Sequence, residues 1–237
     1  GHILATGIDA KGRKQYRYHP EFRARRESEK FDNCLAFGAL LPLVRKRVEQ
    51  DLRGRKIKVA AGLVVRPMRS RVRESLFNSI QDRLETARVL DVFAGSGALG
   101  IEAVSRGARQ SVHVEKDPAV LDLLLDNLKT LGIEAQCKIL EADAYRITQH
   151  PAPGGAFQII LIDPPFPDFS GPGSLPWKLA AQLSADEWLE AGGLLVIEHP
   201  RREDAEPPPL GLKAREGKSY GKTGLAIWEK DRPDQPS

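Results

Sequence analysis

Four residues with the potential for chemistry, Asp163-Pro164-Pro165-Phe166, follow directly after the apolar run Phe157–Ile162. The run predicts a buried strand, and the two prolines end it because neither has a backbone N–H for a strand ladder. Ligands of open α/β sheets bind at the carboxyl ends of the strands. A carboxylate, a proline carbonyl and an aromatic face can together hold an exocyclic amine on a flat heterocycle. A plain loop with a helix-starting proline is the alternative interpretation.

A glycine-rich segment upstream lies between a predicted strand at residues 89–93 and a helical pattern that starts at Ile101. Gly95 and Gly97 allow a tight turn and the close approach of a ligand, and Gly100 allows the helix to pack near the strand. This fingerprint is weak by itself, because NAD, FAD and S-adenosylmethionine sites share it with ordinary turns.

Acidic residues lie in or after three predicted strands. Glu115 follows the strand at 111–114, where a carboxylate can accept both hydroxyls of a ribose. Asp143 follows the strand at 137–140 and either accepts from an adenine amine or caps a helix. Asp91 precedes the glycine turn, and a carboxylate there suits an ammonium or sulfonium group better than a pyrophosphate. Asp91 therefore favours a cofactor with an ammonium or sulfonium group over one with a pyrophosphate as the ligand of the glycine turn.

A resemblance to a known family rests on these and further motifs. From Arg53 to about Lys230 the chain resembles the bacterial 16S ribosomal RNA guanine-N2 methyltransferases, which are Rossmann-like S-adenosylmethionine enzymes. Met68 and Ser70 depart from that family, which usually has Thr and Asp at these positions. The motifs come in the family's order: Arg53-Gly54-Arg55-Lys56, Arg66-Pro67, residues 71–78, residues 89–103, Arg106-Gly107-Ala108, residues 114–117 and Asp163-Pro164-Pro165-Phe166.

The resemblance implies an α/β fold with a Rossmann-like, seven-stranded, mostly parallel sheet that has helices on both faces, and S-adenosylmethionine as cofactor. In the resembled family the Asp and the next proline carbonyl hold the target amine, and the aromatic residue stacks on the flipped base. The predicted catalytic residues are Asp163, Pro164, Pro165 and Phe166. The predicted cofactor-binding residues are Asp91, Phe93, Gly95, Ser96, Gly97, Glu115, Lys116, Asp143 and Ala144.

Positive charge is concentrated near the start of the chain. Residues 1–81 contain 19 Lys and Arg against 8 Asp and Glu, a net charge of +11 within a total of +4. Clustered basic residues predict phosphate binding, and a solvated helix face is the alternative. The predicted RNA contacts are Arg53, Arg55, Lys56, Arg66, Arg69 and Arg71.

The first fifty residues have a different pattern. Residues 3–19 predict two strands around a turn at 9–12, and Pro20 opens a predicted helix, so we expect a small hairpin-helix appendage. Residues 12–16 and 18–20 resemble the DNA-contacting region of type IB topoisomerases, whose nucleophilic tyrosine and activating arginines have no counterpart here. The residues predicted to contact nucleic acid, without catalysis, are Gln15, Tyr16 and Tyr18.

The expected domains are this topoisomerase-like piece at 1–51, a methyltransferase domain at 52–230 and a disordered tail at 231–237. The junction near 49–53 indicates a fragment or a fusion, either natural or from the gene model. A leucine-rich stripe over 118–131 predicts a core-facing helix.

The chain has no apolar run of about 18 residues and no signal-like start, which predicts a soluble, cytoplasmic protein without membrane contact. Two Cys and five His form neither a disulfide framework nor a metal-binding pattern.

The predicted function is methyl transfer from S-adenosylmethionine to a guanine N2 of 16S rRNA, by a monomer that acts on the RNA or on the assembled 30S subunit. Two alternatives stay open. One is a DNA adenine-N6 or cytosine-N4 methyltransferase, because Asp-Pro-Pro-Phe suits all three amines. The other is a noncatalytic, topoisomerase-derived DNA-binding module.

Overall fold

The computed structural model describes residues 3–8, 14–18, 68, 70–185, 187–201, 206–215 and 217–232. The chain divides into two compact units, Gly1–Gln50 and Asp51–Ser237. In the first unit, β1 (Ile3–Ile8) and β2 (Lys14–Tyr18) form an antiparallel pair, which confirms the two predicted strands. The predicted turn at 9–12 and the predicted helix after Pro20 lie outside the described residues.

The second unit contains an eight-stranded sheet. Its parallel part consists of β3 (Arg88–Val92), β4 (Gln110–Glu115), β5 (Cys137–Glu141), β6 (Phe157–Ile162) and β7 (Leu189–Pro200). Its antiparallel part adds β8 (Leu212–Ala214), β9 (Lys218–Tyr220) and β10 (Thr223–Lys230). The order is β5-β4-β3-β6-β7-β10-β8, and β9 also pairs with β10.

The chain order reverses at the centre of this sheet, where β3 lies between β4 and β6 and is parallel to both. Ligands of open α/β sheets bind outside the carboxyl ends of the strands at such a switch point. The glycine turn follows β3 and Asp163 follows β6, so both sequence motifs lie there. The mostly parallel sheet is confirmed, with eight strands rather than seven because two three-residue strands, β8 and β9, both pair with β10.

Helices cover both faces because the central strands are apolar on both sides. Leu161 of β6 belongs to one buried cluster with Phe77, and the next residue, Ile162, belongs to a second cluster with Trp177. The predicted layering on two faces is therefore confirmed. The described α-helices are α1 (Ser70–Ser79), α2 (Ala98–Ser105), α3 (Pro118–Leu131) and α4 (Leu175–Leu183).

Helix α3 has clear local reasons for its two ends. The Asp117 side chain accepts the N–H of Ala119 at 2.9 Å, and Pro118 supplies a first-turn residue that needs no N–H. Gly132, with a φ of 70°, ends the helix in the left-handed conformation. The helix predicted over 118–131 is confirmed, and its start holds the loop after β4 at the sheet edge.

The predicted tail at 231–237 is described only at its first two residues. There the Asp231 N–H donates to the Gly211 carbonyl at 2.9 Å, and the Asp231 carboxylate pairs with Lys213 at 3.0 Å. Residues 233–237 lie outside the described part of the chain.

Candidate active site at the switch point of the sheet

A cavity of about 370 Å³ lies outside the carboxyl ends of β3 to β6. This volume falls within the range of small-molecule sites, which starts at roughly 300 Å³. The structure brings together in its wall nine of the predicted site residues: Phe93, Glu115, Lys116, Asp143, Ala144, Asp163, Pro164, Pro165 and Phe166. Four polar lining residues were not predicted as site residues: Asp117, Tyr145, Asp168 and Glu198.

The glycine turn has the conformation that its residue types predict. Gly95 and Gly97 have φ angles of 55° and 85°, which glycine adopts at little cost. A Cβ on Gly97 would lie 2.4 Å from Leu124 Cδ1, and one on Gly100 would lie 2.3 Å from Ser111 Oγ. The tight turn and the close packing of α2 on the sheet are therefore confirmed.

Phe93 connects this turn to the cavity. It has a φ of 66°, which is unusual for a bulky residue and carries backbone strain. Its ring lies edge-on to Tyr145, with 5.1 Å between ring centroids. The strained backbone therefore presents an aromatic wall to the cavity.

Asp91 does not line the cavity. Its buried Oδ2 accepts the N–H of Gly100 at 2.8 Å and lies 3.5 Å from Nδ1 of the buried His113. The carboxylate thus holds the first turn of α2 against β3. Gly95, Ser96 and Gly97 also lie off the cavity wall, and the Ser96 carbonyl accepts from the Asn127 amide at 3.0 Å. Direct cofactor contacts by these four residues stay predictions.

Glu115 joins the end of β4 to the glycine turn. Its Oε2 accepts the Gly95 N–H at 3.0 Å, and its Oε1 accepts the N–H groups of Lys116 and Asp117 at 2.8 and 3.0 Å. A carboxylate has about four acceptor positions, so this one retains capacity for a hydroxyl. The contact with a ribose stays a prediction, and the remaining acceptor capacity of Glu115 fits it.

Asp143 is the N-cap of the short 3₁₀ helix Ala144–Gln149. Its Oδ1 accepts the Tyr145 N–H at 3.1 Å, and its Oδ2 lies 3.5 Å from Lys116 Nζ. Of the two interpretations that the sequence left open, capping is confirmed. The adenine contact stays a prediction.

The Asp-Pro-Pro-Phe segment leaves β6 at the edge of the cavity. The Asp163 N–H donates to the Val92 carbonyl at 3.4 Å, after which Pro165 starts the 3₁₀ helix Phe166–Asp168. The Tyr145 hydroxyl donates to Asp168 Oδ2 at 2.5 Å, and burial together with this bond raises the pKa of the Tyr145 phenol. The segment is therefore tied to the loop after β5.

Asp163 lies beside a second acid, Glu198 of β7, which lines the same cavity. Burial raises the pKa of Asp163 well above its usual range, and the charges of Glu198 and Asp91 raise it further. The Met68 N–H, which donates to Asp163, opposes this shift.

Glu198 could have been found from the sequence. It follows the apolar run 194–197, as Asp163 follows the run of β6. The register places Ile162 opposite Ile197, so the next residues of the two parallel strands become neighbours. The same rule that selected Glu115 would have selected Glu198.

The structure tests little of the predicted nucleic-acid surface. Arg71 is exposed on α1. Only the backbone is described for Gln15, Tyr16 and Tyr18, which lie on β2. The other predicted RNA contacts lie outside the described residues: Arg53, Arg55, Lys56, Arg66 and Arg69.

In the part of the chain that the structure describes, no helix combines the length and the apolar character needed to cross a membrane. Among these same residues, no cluster of three or more His, Cys, Asp or Glu side chains is arranged to hold a metal ion.

The fold is that of the Rossmann-like methyltransferases. A solved structure from Escherichia coli, described as a candidate methyltransferase yhhF, superposes with a TM-score of 0.63 and 31% identity over 75% of this chain and 92% of that one. An RNA methyltransferase from Salinibacter ruber, solved with S-adenosyl-L-homocysteine, has the same fold at a TM-score of 0.52 and 16% identity, over 72% of this chain and 97% of that one.

The chain belongs to the family described as Conserved hypothetical protein 95, whose model matches residues 49–229. A Bacillus subtilis protein named as a candidate rRNA methyltransferase, YlbH, is 36% identical over 75% of this chain and 95% of its own length. Ribosomal RNA small subunit methyltransferase D of Escherichia coli K12 is 31% identical over 76% of this chain and 86% of its own length. The family resemblance predicted from about Arg53 to Lys230 is confirmed, and the topoisomerase resemblance stays a prediction.

Proposed function

We propose that this protein transfers the methyl group of S-adenosylmethionine to the exocyclic N2 amine of a guanine in 16S ribosomal RNA. Family membership and the relatives named for ribosomal RNA methylation support methyl transfer to ribosomal RNA. The observation that carries the finer proposal is the position of Asp163 and Pro164 in the wall of a cavity beside the glycine turn.

The residues present fit S-adenosylmethionine. Glu115 and Asp143 offer carboxylate oxygens in the cavity wall for ribose hydroxyls and an adenine amine, and Phe93 and Tyr145 offer aromatic surface. When bound, this cofactor supplies an electrophilic methyl group on a sulfonium. The turn held by Asp91 and Glu115 keeps the glycine backbone in position without a contribution from the ligand.

We call the part of the cavity wall formed by Asp163, Pro164 and Phe166 the base side, because the guanine amine that attacks the methyl group binds there. A guanine amine is a poor nucleophile because its lone pair is shared with the ring. Two acceptors for its hydrogens, the Asp163 carboxylate and the Pro164 carbonyl, favour a pyramidal nitrogen with a localised lone pair. No strong base is needed before attack, since the proton can leave after transfer. Most of the rate then comes from alignment in a dry pocket.

Phe166 lines the cavity next to these acceptors and is half-buried. A base in a duplex or a stacked loop must leave its stack to enter such a pocket, at a cost of a few kcal/mol. Stacking on Phe166 and hydrogen bonds to the base edge offset that cost. The aromatic residue therefore serves binding and orientation.

The test is a radiolabelled methyl transfer assay on undermethylated 30S subunits, naked 16S rRNA and duplex DNA, with the labelled nucleoside identified. We expect label in N2-methylguanosine of the small-subunit RNA. Label in N6-methyladenine or N4-methylcytosine of DNA would overturn the proposal in favour of the alternative amines. No transfer and no thermal shift with S-adenosylmethionine would favour the noncatalytic module.

A further inference from the structure

A pair of acids forms the base side of the cavity. Glu198 is only 4% exposed, yet it lines the same cavity as Asp163. The pairing follows from the parallel register of β6 and β7, which sets Ile162 opposite Ile197 and so makes the following residues neighbours. Holding two buried acids side by side is costly unless a ligand or a proton relieves their repulsion.

The pattern of hydrogen-bond donors and acceptors along the edge of the target base decides which base such a pair of acids can bind. Guanine presents two adjacent donors, the N2 amine and the ring N1–H. Adenine and cytosine present an amine next to a ring nitrogen that is an acceptor. Two carboxylates side by side therefore match guanine and leave an acceptor facing an acceptor with the other two bases.

We propose that Glu198 determines the base specificity of this site by accepting the ring N1–H of the target guanine while Asp163 accepts from its N2 amine. This inference rests on the proposed function, because it concerns the base held at the same site. Glu198 is then a residue that contacts the substrate, and its negative charge rejects a base with an acceptor at N1.

The other acids of the cavity have different partners. Glu115, Asp117 and Asp143 accept backbone N–H groups at the ends of β4 and β5, and Asp168 accepts the Tyr145 hydroxyl. Asp91 from β3 also raises the pKa of Asp163, and the Met68 N–H lowers it. Among the described lining residues, Glu198 is the acid that the register of β6 and β7 sets next to Asp163, as an acceptor for the neighbouring donor of the base requires.

The experiment varies the base and the residue together. 16S rRNA is assembled by ligation with guanine, 2-aminopurine or 2,6-diaminopurine at the target position, in whichever form, free or in subunits, supports wild-type methylation. Both analogues keep the N2 amine but carry an acceptor at N1. The kcat/KM for each base is measured for wild type, for Glu198→Gln and for the control Glu190→Gln, an exposed residue on the same strand.

We expect wild type and Glu190→Gln to prefer guanine over both analogues by about a hundredfold or more, since a site built for a donor rejects an acceptor strongly. Glu198→Gln should reduce this preference by about tenfold or more, because an amide can donate to N1. An unchanged ratio in Glu198→Gln, or equal wild-type rates on all three bases, overturns the inference.

The two proposals fail in different ways. A wild-type protein that does not methylate guanine at N2 removes the proposed function itself. Methylation of guanine with the same base ratios in wild type and Glu198→Gln removes only the role of Glu198. Should Glu198→Gln unfold, as judged by its melting temperature, the wild-type comparison of the three bases decides alone.

Discussion

The two sides of the cavity hold their carboxylates in different ways. Near the glycine turn, Glu115 accepts three backbone N–H groups and Asp143 accepts one. Near β7, Asp163 lies beside Glu198, whose negative charge helps to raise the pKa of Asp163. Backbone donors fix the position of a carboxylate, whereas a neighbouring acid raises its pKa. The side near the glycine turn therefore fixes the position of a ligand, whereas the ionisation of Asp163 on the other side depends on what lies next to it.

The strongest test of this contrast is Asp163→Ala. We expect kcat for methyl transfer to fall by about a thousandfold or more, because an acceptor for the reacting amine is lost. The Kd for S-adenosylmethionine, measured by calorimetry, should change by less than about threefold, since Asp163 lies on the base side. The control Asp122→Ala removes an exposed acid from α3. Equal losses of kcat and cofactor affinity would show that the two sides are not separate.

Glu115→Ala should have the opposite profile. We expect cofactor affinity to fall by about ten- to a hundredfold, because three backbone N–H groups lose their acceptor and the ribose loses its carboxylate. At saturating cofactor, kcat should fall by less than about tenfold. Calorimetry and initial rates measure the two effects. A variant with normal cofactor affinity would mean that Glu115 is a structural tie only.

The acid pair predicts a pH dependence. The wild-type kcat/KM should rise with pH through the raised pKa of Asp163, because the ionised carboxylate is the stronger acceptor for the amine hydrogens. Glu198→Gln removes one of the two neighbouring acids that raise this pKa, so the rising limb should move to lower pH. Asp91 and the Met68 N–H remain in both proteins. Superimposable pH profiles would contradict the coupling of the two acids.

The same shift affects stability, with a definite sign. A carboxyl whose pKa is higher in the folded than in the unfolded chain stabilises the fold below its unfolded pKa, and this contribution is lost as pH rises through the folded value. Melting temperatures of wild type should therefore fall more steeply over that interval than those of Glu198→Gln. Scanning calorimetry across the interval measures the difference.

The smallest effect is expected for Tyr145→Phe, which breaks the link between the two sides. The variant loses the 2.5 Å hydrogen bond to Asp168 but keeps the ring beside Phe93. We expect the free energy of unfolding to fall by about 1 kcal/mol, as for a typical hydrogen bond. The KM for RNA should rise a few-fold, because the Asp-Pro-Pro-Phe segment is held less firmly. Denaturant unfolding and steady-state rates check both, and an unchanged KM would assign the bond to stability alone.

Local chemistry explains why much of the fold and half of the site could be predicted. Proline ends a strand because it lacks an N–H, so Asp163 had to follow β6 at its carboxyl end. The glycine turn and the helix at 118–131 follow from φ preferences and from capping, which depend on a few adjacent residues. Parallel strands then bring these ends to one edge of the sheet.

The remaining features depend on which distant segments meet, and only the tertiary structure decided them. Asp91 turns towards Gly100 and His113, away from the cavity wall, because α2 packs closely on β4. Glu198 reaches Asp163 from 35 positions further along the chain, since β7 takes the place next to β6 in the sheet. Residue type and local spacing determine where a strand ends and what it presents there. Strand order and register determine which of those ends become neighbours, and the raised pKa of Asp163 depends on such a neighbour.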